Sequence, residues 1–226
     1  KENCTLVVPK GTSITVTGKT VNDGSIEVYG EYIAGTESGK GTIYYYNGQV
    51  NVASAADLQA VINNAATNAT ELIVLTEDIE LTAPLSFETL NARAATAPIK
   101  LTLNLNGNDI VNKTPVLGAL GQDDDVTAAA AIYVNNPNLE LTIKGEGNVT
   151  ADANAHYQSA VWVANGSVII EGGKYYAGKD DENKGCTAIQ GYAKSGIKES
   201  FITIKGGEFS ADPESEGFTA KQHACL

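Results

Sequence analysis

The 226-residue chain has no Met, a single Trp, a single Arg (Arg93) and only two His, His156 and His223. Lys and Arg together number 15 against 27 Asp and Glu, giving a formal net charge of -12 and a pI near 4.5. A surface of that sign repels nucleic-acid phosphates and anionic lipid headgroups, so neither is an expected partner. No apolar run approaches the roughly 18 residues of a membrane-spanning helix, and no signal peptide is present. The missing Met, initiator included, predicts a mature or excised product, and a removed export signal is left open. The three cysteines, Cys4, Cys186 and Cys225, are odd in number and fit no zinc spacing. They read as unpaired structural residues, the alternative being a Cys186–Cys225 bridge. Asn-x-Thr/Ser triplets at Asn3, Asn68, Asn112, Asn148 and Asn165 read as turns in so Asn- and Thr-rich a chain.

What the chain does have is a recurring motif, apolar-x-apolar-x-Gly, at Ile14 to Gly18, Ile26 to Gly30, Leu103 to Gly107, Leu141 to Gly145, Val168 to Gly172 and Ile202 to Gly206. The last three copies are the most alike, and a second apolar segment lies between them: Ala131 to Val134, Ala160 to Val163 and Ala188 to Gly191. Two short strands in each period of about 30 residues, with little helical signal between them, predict stacked coils of a parallel solenoid. Stacking would set Lys144, Glu171 and Lys205 above one another with alternating sign, and Lys174 beside Glu208.

The first fifty residues carry strand-like segments at Leu6, Ile14, Ile26 and Ile43. A helix is predicted over about 55–66, because Ser54 to Asp57 forms a capping-box signature and Leu58, Val61, Ile62 and Ala65 share one face. Residues 71–75 form a continuous apolar run of the kind buried on both sides, and residues 88–98 and 118–127 read as loops. The capped helix Asp57 to Ala65, with Ile73 to Ile79 and Leu103 to Asn108 after it, resembles the opening of pectate-lyase-like, single-stranded right-handed β-helix proteins. The rungs Gly172-Gly173-Lys174-Tyr175 and Gly206-Gly207-Glu208-Phe209 are similar to those of repeat-bearing surface proteins of gut bacteria and fibres of their phages. The resemblance implies an all-β, right-handed parallel β-helix whose helix caps the solenoid over residues 51–226. Residues 1–50 are then an appended β unit if the helix is a cap, or the first coils if it is an insertion.

Because the fold's enzymes are lyases and polygalacturonases, their chemistry must be sought. Asp123 and Asp124 in Gly121-Gln122-Asp123-Asp124 are similar to a polygalacturonase acid pair, and with Asp125 they are the only metal-ligand candidates that the residues suggest. The histidine and arginine contexts that complete that pattern are missing, and Arg93 lacks an acidic neighbour for lyase chemistry. The expected function is therefore non-catalytic and cofactor-free: a structural or adhesive β-helix, extracellular or on a cell surface or virion, that presents a side surface to glycan or protein. The alternative is a carbohydrate-active enzyme, and a homo-oligomer is left open. Binding candidates are the aromatics Tyr44, Tyr46, Tyr175 and Tyr176, with Tyr133 and Trp162 at matching positions of successive coils. If the flanking branched aliphatics face inward, Tyr133 and Trp162 make an outer strip; the opposite assignment makes them core.

Overall fold

A computed structural model describes residues 4–45, 48–68, 71–88, 99–118, 127–179, 186–191 and 200–211. The chain opens with strands β1 (Thr5–Val8), β2 (Ser13–Val21), β3 (Ser25–Val28), β4 (Glu31–Ser38), β5 (Thr42–Tyr45) and β6 (Gln49–Val52), and then helix α1 (Ala55–Asn68). Next come β7 (Leu72–Leu75), β8 (Ile79–Leu81), β9 (Leu85–Phe87), β10 (Ile99–Asn104), β11 (Ile110–Asn112), β12 (Val116–Leu117) and the long β13 (Thr127–Lys144). The last strands are β14 (Asn148–Ala151), β15 (Tyr157–Ile170), β16 (Lys174–Ala177), β17 (Cys186–Gly191), β18 (Ser200–Ile204) and β19 (Glu208–Ala211). Among the described residues every strand pairing is parallel except the short β12–β13 pair.

Parallel in-register pairing turns the sequence repeat into columns of like side chains. Ile73, Leu103, Ile143, Ile170 and Ile204 stand above one another across β7, β10, β13, β15 and β18. Ile79, Ile110, Val149, Tyr175 and Phe209 do the same across β8, β11, β14, β16 and β19. Leu85, Ile132, Val161 and Ile189 form a third column across β9, β13, β15 and β17. The three columns meet in one apolar cluster whose column members are buried except at the last strands, where Ile204 and Phe209 are half-buried. Each parallel pairing sets the apolar side chains of one strand over those of the next, so that neighbouring strands bury one another's inner face. Val168 to Ile170 pair with Ile202 to Ile204 as the repeat predicts.

The motif itself needs a correction at three of its six copies. Leu101 and Leu103 pair with Leu141 and Ile143, so the register of the Leu103–Gly107 copy is two residues out and Leu105 takes the place of Gly145. Ile14 lies in β2, paired with β4, while Ile26 lies in β3, paired with β1, so these two copies belong to different sheets. What the turns after β10, β13, β15 and β18 share is a glycine with positive φ, Gly107, Gly147, Gly173 and Gly207 at 81, 130, 87 and 107°, while the turn after β7, residues 76–78, has none. That left-handed backbone strains any side chain but glycine's.

The predicted charge pairs form at the later rungs, Lys205 to Glu171 at 3.0 Å and Lys174 to Glu208 at 3.2 Å. All four side chains are more than a third exposed, so each pair contributes at most about 1 kcal/mol. Lys144 departs from the alternation: its Nζ turns from Glu171 to Glu31, at 2.9 Å.

Helix α1 begins where its cap predicts. The Asp57 N–H donates to Ser54 Oγ at 3.2 Å, and the Ser54 hydroxyl donates to the Asp57 carboxylate at 2.7 Å. Leu58, Ile62 and Ala65 are fully buried, with Val61 half-buried beside them, against β6, β8 and β9. Gln59 holds β9 through both amide atoms, Nε2 donating to Ser86 O at 2.8 Å and Oε1 accepting from Ser86 N at 2.9 Å.

The first fifty residues build two parallel sheets around Val8, Ile26, Val28 and Tyr32. They join the rungs beyond through Gln49, whose Nε2 donates to Tyr32 O at 2.9 Å, and through Glu31. Of the Asn triplets, Asn112 and Asn165 are buried, which leaves no room for a glycan on either. Asn112 makes the expected turn, its Oδ1 accepting from Thr114 N at 2.9 Å.

Candidate functional site

The proposed aromatic strip is half right. Tyr133 and Trp162 pair in register, and their neighbours Ile132, Val134, Val161 and Val163 all lie in the main core, so the aromatics point to the other side of the strands. They are nevertheless buried, at 5% and 0% exposure, in a separate cluster with Ala128, Ala130 and Ala164. Alternation fixes the direction of a side chain but not what lies over it. The Trp162 Nε1–H is buried without a hydrogen-bond partner. Tyr175 is a second correction: it belongs to the inward column, stacks on Phe209 at a centroid distance of 5.2 Å and donates its hydroxyl to Gly172 O at 2.9 Å. Neither Trp162, Tyr133 nor Tyr175 is open to a ligand.

Tyr176 faces outward and is half-buried, lining a shallow hollow with Lys174 and Glu208. Tyr46, the acidic run Asp123, Asp124 and Asp125, Arg93, His223 and Cys225 lie outside the described residues. Cys4 is an exposed free thiol and Cys186 is buried. Among the described residues no group of three or more His, Cys, Asp or Glu is placed to hold a metal ion.

Of the five aromatic candidates among the described residues, Tyr44 is the most exposed, at 47%. Strand alternation puts Ile43 and Tyr45 against the N-terminal core and leaves Thr42 and Tyr44 on the outer face. There Tyr44 borders a hollow of about 370 Å³ whose other walls include Thr5, Asp23, Ser25, Lys40 and Thr42. Thr5 and Ser25 share a hydroxyl–hydroxyl hydrogen bond of 2.8 Å, and Asp23 Oδ1 accepts from Lys40 N at 3.2 Å. An aromatic face ringed by hydroxyls, one carboxylate and one ammonium suits a sugar, whose C–H face stacks while its hydroxyls donate and accept. Asp23 and Lys40 were not singled out in the sequence. The signal for them was the β1–β3–β5 register, which lines up the turns before β3 and β5.

A second hollow, of about 560 Å³, lies between the first fifty residues and the outer face of β7, β10 and β13. Tyr29, Lys10 and Lys100 stand at its walls, and Glu31 and Lys144 are among its lining.

The tyrosines also carry a pH signature. Burial pushes the hydroxyls of Tyr133 and Tyr45 up to about 12, and that of Tyr175 higher still. A folded pKa above the unfolded value of about 10 means that the unfolded chain releases these protons first. Their contribution is therefore intact below about pH 10 and is lost as pH rises toward 12. Unfolding midpoints measured from pH 9 to 12 should fall across that window, in step with tyrosinate absorbance; a flat profile would mean that these hydroxyls ionise freely in the native state.

No family model, curated protein or solved structure matches this chain.

Proposed function

We propose that this chain is a non-catalytic, surface-exposed adhesive element: a right-handed parallel β-helix of the pectate-lyase-like type, closed by α1, with a glycan-binding hollow on the N-terminal β1–β3–β5 sheet. The observation that carries the binding assignment is Tyr44, exposed over a hollow furnished with Asp23, Lys40 and three hydroxyl side chains. The reading of a rigid spacer draws its support from the three stacked apolar columns, a repeating core in which each rung packs on the next. An extracellular, cell-surface or virion location is the setting in which such a spacer and such a hollow would be used.

The test is binding of the purified chain to an immobilised glycan array, and then titration of the best ligand. Tyr44→Ala should weaken binding by about 2 kcal/mol, as loss of an anchor aromatic does, while leaving the melting transition in place. Equal affinity in the variant removes the hollow from the proposal. Retention of a protein partner but no glycan would move the assignment to a protein-binding surface. Release of unsaturated or reducing ends from the glycan would make the chain an enzyme.

A further inference from the structure

Glu31 gathers a lysine and an asparagine onto its two oxygens. Lys144 Nζ donates to Oε2 at 2.9 Å and Asn104 Nδ2 donates to Oε1 at 2.7 Å. Asn104 and Lys144 are themselves register partners on β10 and β13, so their side chains leave adjacent backbones side by side. The group is partly withdrawn from water at the floor of the second hollow: Asn104 is 5% exposed, and the Glu31 and Lys144 side chains are 16% and 30% exposed. A third donor completes it, for the Asn106 N–H points at Asn104 Oδ1 at 3.0 Å. Gly145 makes the arrangement possible, because a Cβ there would collide with Asn104 Oδ1.

An amine, a carboxamide, a carboxylate touching both and an N–H on the carboxamide oxygen are the parts of an acyl transfer. We propose that Lys144 and Asn104 become joined by an intramolecular isopeptide bond, with Glu31 as the proton carrier. Glu31 takes a proton from the Lys144 ammonium, which frees the Nζ lone pair to attack Asn104 Cγ. As the Nζ–Cγ bond forms, negative charge gathers on Oδ1, where the Asn106 N–H stabilises it. Glu31 then delivers the proton to Nδ2, the Cγ–Nδ2 bond breaks, and the electron pair leaves with ammonia. The second proton shed by Nζ passes to that ammonia. The balance is one ammonium and one carboxamide in, one secondary amide and one ammonium ion out, with no oxidant or reductant. Held neighbours react far faster than free ones, which is what lets so poor an electrophile as a carboxamide be attacked. The same geometry explains why Lys144 leaves the alternating charge ladder for Glu31. The cross-link stands independently of glycan binding, and either can fail without the other.

The experiment is intact-mass measurement of the purified 226-residue chain after several days at neutral pH, and then digestion and tandem mass spectrometry. The expected result is a mass about 17 Da below that of the sequence, one ammonia lost, with a branched peptide joining the Asn104 and Lys144 segments and no tryptic cut after Lys144. Lys144→Arg and Glu31→Gln should each restore the full mass, and Lys144→Arg keeps the test decisive if Glu31→Gln does not fold. A wild-type chain of full mass that trypsin cuts after Lys144 overturns the proposal. So does a 17 Da loss, about one ammonia, that maps to a succinimide at an Asn-Gly step such as Asn106-Gly107.

Discussion

Replacing Trp162 with Ala should lower the unfolding free energy by about 3–5 kcal/mol, the cost of emptying a fully enclosed aromatic site. Trp162 is 0% exposed and sits among alanines, which cannot reach across the space that an indole leaves. One term works against the loss: the indole N–H is buried without a partner, and removing it recovers about 1–3 kcal/mol of desolvation. The two effects are separable. Trp162→Phe keeps most of the ring and discards the N–H, so it should cost much less than the alanine change and fall within about 1 kcal/mol of the native protein. Denaturant titration of the pair measures both. An alanine variant that unfolds at the native midpoint would mean that the aromatic cluster is a loosely covered flap. A phenylalanine variant as unstable as the alanine one would mean that Nε1 has found an acceptor in solution.

The second large effect is expected at the helix. Leu58→Asp places a carboxylate in a fully enclosed site among apolar side chains, and it should destabilise by about 3 kcal/mol or more. Leu58→Ala is the control for volume alone, at about 2–5 kcal/mol. The aspartate variant carries the additional pH dependence of a buried acid: it should regain stability as pH falls and the carboxyl is neutralised. Melting curves at pH 7 and pH 4 for both variants decide it. An aspartate variant with an unshifted transition would detach α1 from β6, β8 and β9, the strands that it packs against.

How much of this was legible in the sequence depends on whether the information is local. The Ser54 cap and the Leu58, Ile62, Ala65 face lie within one short segment, and both appear where the pattern put them. The 168–170 and 202–204 pairing was legible because two copies of one motif stack on each other. The Leu103–Gly107 copy misled, because Leu101, Leu103 and Leu105 alternate without a break and the position of Gly107 selects Leu103 and Leu105, whereas the pairing uses Leu101 and Leu103. Tyr133 and Trp162 show a different limit: their direction follows from period-2 alternation, but alternation does not say that this second face of β13 and β15 is also covered. Glu31 was invisible for that reason too, since its partners Asn104 and Lys144 come from far along the chain and no local pattern links them.

The short turns have an evolutionary corollary. The turns after β7, β13, β15 and β18 are held to three residues, 76–78, 145–147, 171–173 and 205–207, and the one after β10 to five, 105–109, while the segments 88–98, 113–126 with β12 inside it, 152–156, 178–185 and 192–199 differ more widely in length and composition. Selection can therefore lengthen, shorten or rewrite one set of connections without disturbing the register that the other set enforces. For protein engineering this divides the chain into a constant margin and a variable one. Foreign peptides grafted into the variable connections should leave the strand pairing intact, whereas insertions at the three-residue turns 145–147, 171–173 and 205–207 should disturb the register of the strands on either side.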